Sequence, residues 1–144
     1  MIQMRFLSNL DHNRIAGAIS RAEEKTSGQI RVHVTHRKPD SLEQRASRRF
    51  QLLGMTQTKN RNGVLLYIAP KAHQFRILGD VGVHEKCGDD FWKSTANAIE
   101  AHFRKGQFTE GIVAGVERVG EVLAQYFPKE AGLGNELPDE ITED

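Results

Sequence analysis

RNGVLLYIAPKAHQFRILGD, residues 61 to 80, contains two apolar runs separated by a short polar break. The first, GVLLYIA, offers no polar position to turn towards water, so it reads as a central strand buried on both faces. Pro70 ends it, Lys71-Ala72-His73 makes a turn, and QFRILG returns as an antiparallel partner. With residues 69 and 74 flanking that turn, the pairing carries Gly63 opposite Asp80.

Upstream, in QIRVHVTH, Ile30, Val32 and Val34 alternate with Arg31, His33 and Thr35, which predicts a strand with one buried face and a more exposed Arg31. His33 and His36 are three apart, so they project to opposite faces and read as strand-surface histidines rather than a metal pair. Between the two strands, Leu42, Ala46, Phe50 and Leu53 form a helical stripe. Ser41 and Gln44 have capping-box spacing, Gly54 suits the carboxyl end, and Arg45, Arg48 and Arg49 make a solvated face. A strand–helix–strand unit crosses over right-handedly and makes its strands parallel.

At the start, Ser8 reads as an N-cap with Asp11 in the first turn, Ile15, Ala18, Ile19 and Ala22 follow, and Thr26-Ser27-Gly28 stops the helix. After the hairpin, Asp89 or Asp90 caps a third helix carrying Phe91, Trp92, Thr95, Ile99 and Phe103, closed by Gly106. Thr109 opens a fourth, with Ile112, Val116, Val119, Leu123 and Phe127 on one side and Pro128 beyond. Its Gly111, Gly115 and Gly120 cost roughly 1 kcal/mol each against alanine, which points to close packing on a neighbour. The order α-β-α-β-β-α-α describes an α/β protein, a three-layer sandwich with helices on both faces of a small mixed sheet.

The 144 residues suit one domain over 1–128, able to bury a core without disulfides or metal staples. The single Cys87 fits a reducing compartment, and no apolar run is long enough for a secretory signal or a membrane span, so the expected location is cytoplasmic. Residues 129–144 carry one lysine and six acids, leaving 19 basic and 13 acidic residues, +6, in the body. That tail reads as disordered, so removing 131–144 should leave the melting temperature nearly unchanged. The body lacks a Lys/Arg run with interleaved aromatics, so nucleic acid is not the expected partner.

The candidate site is RILGDVGVHEKCGDD, residues 76 to 90. Asp80, Glu85, Asp89 and Asp90 stand close together there, and the pairing brings Asp80 to the edge holding Arg61-Asn62-Gly63 and the Thr26–Gly28 corner. Hard cations take carboxylate, carbonyl and water oxygens. Asp80, Asn62 and Asp89 or Asp90 are therefore candidate ligands for a weakly bound Ca²⁺ or Mg²⁺. Asp80 can also be read as a turn-former, and Asp89-Asp90 as helix caps. Phosphatase signatures are weak. Lys93 stands where a cysteine-phosphatase loop after Cys87 needs arginine, and no DxDxT, Walker loop or Ser-His-Asp spacing stands out. Hydrolysis would have to be metal-assisted, with His84 a candidate general acid.

TSGQIRV after an amphipathic helix, LLGM, RNGVLLYIAP, FRILGDVGVHEKCG with a following FW, and the closing FTEGIVAGVERVGEVLAQYFP resemble the TPM domain family in order, over about residues 7–128. The resemblance implies an α/β sandwich and an acidic, divalent-cation-binding surface. Some plant members are regarded as acid phosphatases, whereas most bacterial ones have no assigned activity. Many members carry a signal peptide and a transmembrane tail, and this chain departs from them in both. The resemblance is to the soluble bacterial branch, which implies a membrane-associated partner of the LemA type. The expected function is an accessory or regulatory cation-binding domain, and the alternative is a metal-dependent phosphomonoesterase.

Overall fold

The structure is a computed structural model that describes residues 10–130 and 141–144. Its elements are α1 (His12–Glu23), β1 (Gln29–Val34), α2 (Leu42–Leu52), β2 (Gly63–Ala69), β3 (Gln74–Gly79), α3 (Val81–Cys87), α4 (Asp89–Arg104), α5 (Phe108–Tyr126) and β4 (Ile141–Glu143). Single 3₁₀ turns at Met55–Gln57 and Pro70–Ala72 lie before and after β2.

The ends of the helices follow local chemistry. Asp11 caps α1 by accepting from the Arg14 amide at 3.0 Å, while Ser8 lies outside the described residues. Ser41 caps α2 as its spacing predicts, and Gly54 stops it with φ of 76°. Gly88, not Asp89 or Asp90, is the N-cap of α4, and Gln107 precedes α5. The two aspartates instead occupy the first turn of α4, where negative charge is favourable.

The sheet order is β3-β2-β1-β4. β1 and β2 are parallel from Gln29↔Gly63 to Val34↔Ile68, and β2 and β3 antiparallel from Val64↔Gly79 to Ala69↔Gln74. The β2–β3 register is the one derived from the 69/74 turn, and β1 and β2 are parallel as the crossover rule predicts. All seven residues of β2 are buried, as an unbroken apolar strand requires. On one face, Ile30, Val32, Val64 and Leu66 pack against α1, α4 and α5 through Ile15, Ile19, Ile99 and Val116. On the other, Leu65 and Tyr67 meet Ala46 and Phe50 of α2 and Met55. The glycines of α5 are sites of close approach: a Cβ on Gly115 would lie 2.6 Å from Ile99, and one on Gly120 would lie 2.7 Å from Ala22.

Three further expectations are corrected. Arg31 is buried, at 2% exposure, and its Nη1 donates to Glu23 Oε2 at 2.8 Å and to the Ile30 carbonyl at 2.5 Å. His33 is wholly buried rather than on the surface. Alternation identifies which side chains leave the larger core, but not that the second face is also covered. The third correction concerns the acidic tail. Ile141–Glu143 pairs in parallel with β1, so the expected disorder does not extend to its last residues, while 131–140 lie outside the described residues. Truncation before Ile141 is therefore expected to destabilise the chain by about 1–2 kcal/mol, roughly 3–8 °C in melting temperature, from lost partial burial of Ile141 and its neighbours' ion pairs. Differential scanning calorimetry of the two chain lengths checks this.

Candidate functional site

The three polar turns meet at one sheet edge. The Asp80 amide donates to the Gly63 carbonyl at 2.9 Å, and the Gln29 amide to that of Asn62 at 3.4 Å. From the other side, Asn62 Nδ2 donates to Ser27 Oγ at 3.2 Å. The backbone then turns into α3, whose Gly82 seats directly on the 60–61 loop. A Cβ there would stand 2.6 Å from both the Asn60 and Arg61 carbonyl oxygens.

Asp80 is the polar centre of this edge. Its side chain is only 4% exposed, and Oδ1 accepts from the Val81 amide at 2.8 Å, capping α3. Arg61 grips the same carboxylate in two places, Nε to Oδ2 at 2.6 Å and Nη2 to Oδ1 at 2.8 Å. Such a bidentate pair is strong and directional. The hydrogen bond to Asp80, followed by its charge, raises the Arg61 pKa further, so the guanidinium stays charged. The arginine side chain itself is half-exposed, at 46%, and can leave without unpacking the core. Arg61 adopts φ of 50°, a left-handed conformation that few side-chain-bearing residues take, and this aims it back at Asp80.

Asn62 is fully buried, and its Oδ1 has no hydrogen-bond partner. An orphaned buried carbonyl oxygen normally finds protein, water or an ion, so this atom fits a hard-cation donor set. Beside the edge lies a cleft of about 480 Å³, lined by Phe50, Thr56, Asp80, Val81 and His84 among others.

Of the four residues predicted as ligands, the fold thus brings Asp80 and Asn62 to one edge. Asp89 and Asp90 lie beyond the two turns of α3, exposed on the first turn of α4. Among the described residues, no three His, Cys, Asp or Glu side chains gather as a metal-holding group. Burial raises the Cys87 thiol pKa, which disfavours the thiolate a cysteine nucleophile needs. His84 sits beside the Trp92 ring, with centroids 5.7 Å apart.

Sequence reasoning missed Arg61 as the partner of Asp80, although the pairing of Gly63 with Asp80 was the available signal. It also missed a second polar cluster, where β4 meets β1. His33 Nδ1 lies 2.6 Å from Thr142 Oγ1, and its Nε2 lies 3.1 Å from Asp144 Oδ1, close enough for an ion pair though not aligned as a hydrogen bond. Burial, helped by the charge of Arg49, lowers the His33 pKa against the opposing pull of Asp144. For Asp144, burial acts upwards, but hydrogen bonding from Thr35, the nearby His33 ring and the charge of Arg49 outweigh it and hold the acid below its ordinary value.

A histidine whose folded pKa is depressed stabilises the fold fully above its ordinary value of 6.5 and loses that contribution as pH falls below it. Asp144 acts in the same direction, but only below its ordinary 3.8. The melting temperature is therefore expected to decline as pH falls from about 7 to 5, and His33→Gln should flatten that slope. A thermal-melt series across this range measures both.

A TPM domain family profile matches residues 2–122. The BA42 protein of the psychrophilic bacterium Bizionia argentinensis, solved by NMR, is 40% identical with a TM-score of 0.85, covering 94% of this chain and 95% of its own. The N-terminal domain of a P. gingivalis protein is 24% identical with a TM-score of 0.64, covering 77% of this chain and 72% of its own. That of cg2496 from Corynebacterium glutamicum is 19% identical with a TM-score of 0.60, covering 77% and 70%. These two are likenesses of fold alone. A comparison with curated proteins gives no match. Among the described residues, no helix is long and apolar enough to cross a membrane.

Proposed function

The chain belongs to the TPM domain family, and from that premise we propose that it is an accessory or regulatory binding domain with a weak Ca²⁺- or Mg²⁺-responsive surface at the Asp80 edge. The observation that carries this reading is the orphaned, buried Oδ1 of Asn62 on the same edge as the Asp80 carboxylate. Together they offer hard oxygens of the type these cations take. Asp80 is already neutralised by Arg61, so a divalent ion has to displace a guanidinium to reach it. That competition, with few protein ligands, accounts for weak binding, on the order of 10⁻⁴–10⁻³ M as in low-affinity calcium modules. Asp89 and Asp90 contribute negative potential from the next helix rather than direct ligation.

Cation occupancy would free the Arg61 side chain and alter the surface at the start of α3. This is a physical route from ion concentration to partner binding, with a membrane-associated protein as the proposed partner. The test is an amide NMR titration with Ca²⁺ and with Mg²⁺. Selective shifts are expected at 60–63 and 79–85, and Asp80→Ala should remove most of them. Uniformly small shifts, or shifts confined to 129–144, would set the proposal aside. Parallel assays of phosphomonoester hydrolysis with Mg²⁺ and with EDTA separate it from the metal-dependent phosphatase reading, which requires turnover that Asp80→Ala abolishes.

A further inference from the structure

The edge of β1 away from β2 is filled by the chain's own last residues. Val32, His33 and Val34 pair with Ile141, Thr142 and Glu143, and the Asp144 amide donates to the Val34 carbonyl at 3.0 Å. Basic side chains from separate parts of the chain converge on this strand. His12 Nε2 lies 3.0 Å from one Glu143 carboxylate oxygen and His36 Nε2 3.2 Å from the other. Arg49 Nη2 reaches Asp144 Oδ2 at 2.5 Å, and His33 faces both Thr142 and Asp144.

The two sides of this contact are built unequally. The receiving side is rigid: β1 is bonded to β2 along six residues, and the buried His33 ring stacks on Tyr67 with centroids 5.4 Å apart. The inserted side is light, since none of residues 141–144 is buried. Glu143, His36 and His12 are 35%, 38% and 47% exposed, and polar contacts so open to water hold weakly whether or not the rings are charged. A preformed strand edge, flanked by the Arg49 guanidinium and three histidine rings and holding a short, solvated acidic strand, is a receptor with a replaceable occupant. Strand addition of this kind takes affinity from main-chain bonds and selectivity from alternate side chains.

We infer that the β1 edge is a binding site for an extended acidic segment of a partner protein, and that residues 141–144 are its resident, exchangeable occupant. The matching pattern is a β-branched residue, a hydroxyl residue and two carboxylates in succession, the order of Ile141, Thr142, Glu143 and Asp144. Complementarity selects the partner: the Arg49 guanidinium faces Asp144, the ring nitrogens of His12, His33 and His36 face carboxylate oxygens, and a basic strand would set its charge against Arg49.

The full chain carrying Glu143→Gln with Asp144→Asn, isotopically labelled, is titrated with the free acetylated peptide NELPDEITED. Saturable shifts are expected at residues 30–35, at Arg49 and in the His33 ring. The unsubstituted chain should need roughly tenfold more peptide, because its tethered strand competes at high effective concentration. A peptide with the last two carboxylates neutralised should give no saturable response, and Arg49→Gln should weaken binding. No response at millimolar peptide, or equal binding of the neutralised peptide, overturns the inference. Magnetisation transfer between His33 of a labelled copy and Thr142 of an unlabelled one would assign the site to a second copy and overturn the choice of partner. If the double variant loses its amide dispersion, excess peptide on the unsubstituted chain decides by displacing the resident strand or failing to.

Discussion

Leu66→Ala is expected to cost about 2–5 kcal/mol, a fall of roughly 8–15 °C in melting temperature for a domain of this size. Leu66 lies in the middle of β2, 1% exposed, between Val32 on β1 and Ile77 on β3. Its side chain reaches α5 opposite Gly115, where a Cβ would sit 3.2 Å from the Leu66 δ-methyl. The absent Cβ already lets the helix close down on the strand, so truncation leaves a cavity that the backbone has little room to collapse into. Urea denaturation gives the free energy directly. A loss under 1 kcal/mol would mean that this contact is looser than its geometry indicates.

Gly82→Ala is expected to be nearly as damaging although it adds a single methyl group. The clash is with two backbone carbonyl oxygens at 2.6 Å, which cannot rotate aside as a side chain can. Either α3 or the 60–61 loop has to move, and overpacking of this kind costs about 1–3 kcal/mol. The movement would strain the hydrogen bond that the Gly82 amide donates to the Arg61 carbonyl and pull Asp80 from its guanidinium partner. The substitution should therefore lower stability and weaken the cation response together. Thermal melts paired with a Ca²⁺ titration would show both changes, whereas an unchanged melt would mean that α3 is not seated on this loop.

The central hairpin was legible because GVLLYIA admits no amphipathic alternative and its turn fixes the register. Once that register is set, the convergence of Gly28, Asn62 and Asp80 follows by counting residues along paired strands. α3 was not legible: VGVHEKC is seven residues with a glycine, too short for periodicity to separate from a loop. The burial of Arg31 and His33 was hidden because alternation in a strand reports direction and not what covers it. β4 was hidden for a related reason. ITED, at the end of an acidic stretch, has almost no local propensity to order, and it is held by His12, His33, His36 and Arg49, about a hundred residues earlier in the chain. Asp89 and Asp90 are near Asp80 in sequence, and the unforeseen α3 is what sets them on the first turn of α4.

The central claim is that Arg61 and a divalent cation compete for Asp80, and the most direct measurement compares Ca²⁺ affinity in the unsubstituted chain and in Arg61→Gln by amide NMR titration. Removing the guanidinium frees a carboxylate from a partly exposed ion pair, so affinity should tighten roughly two- to fivefold, with the shifts still centred on 60–63 and 79–85. Unchanged or weaker binding in Arg61→Gln would contradict competition at Asp80.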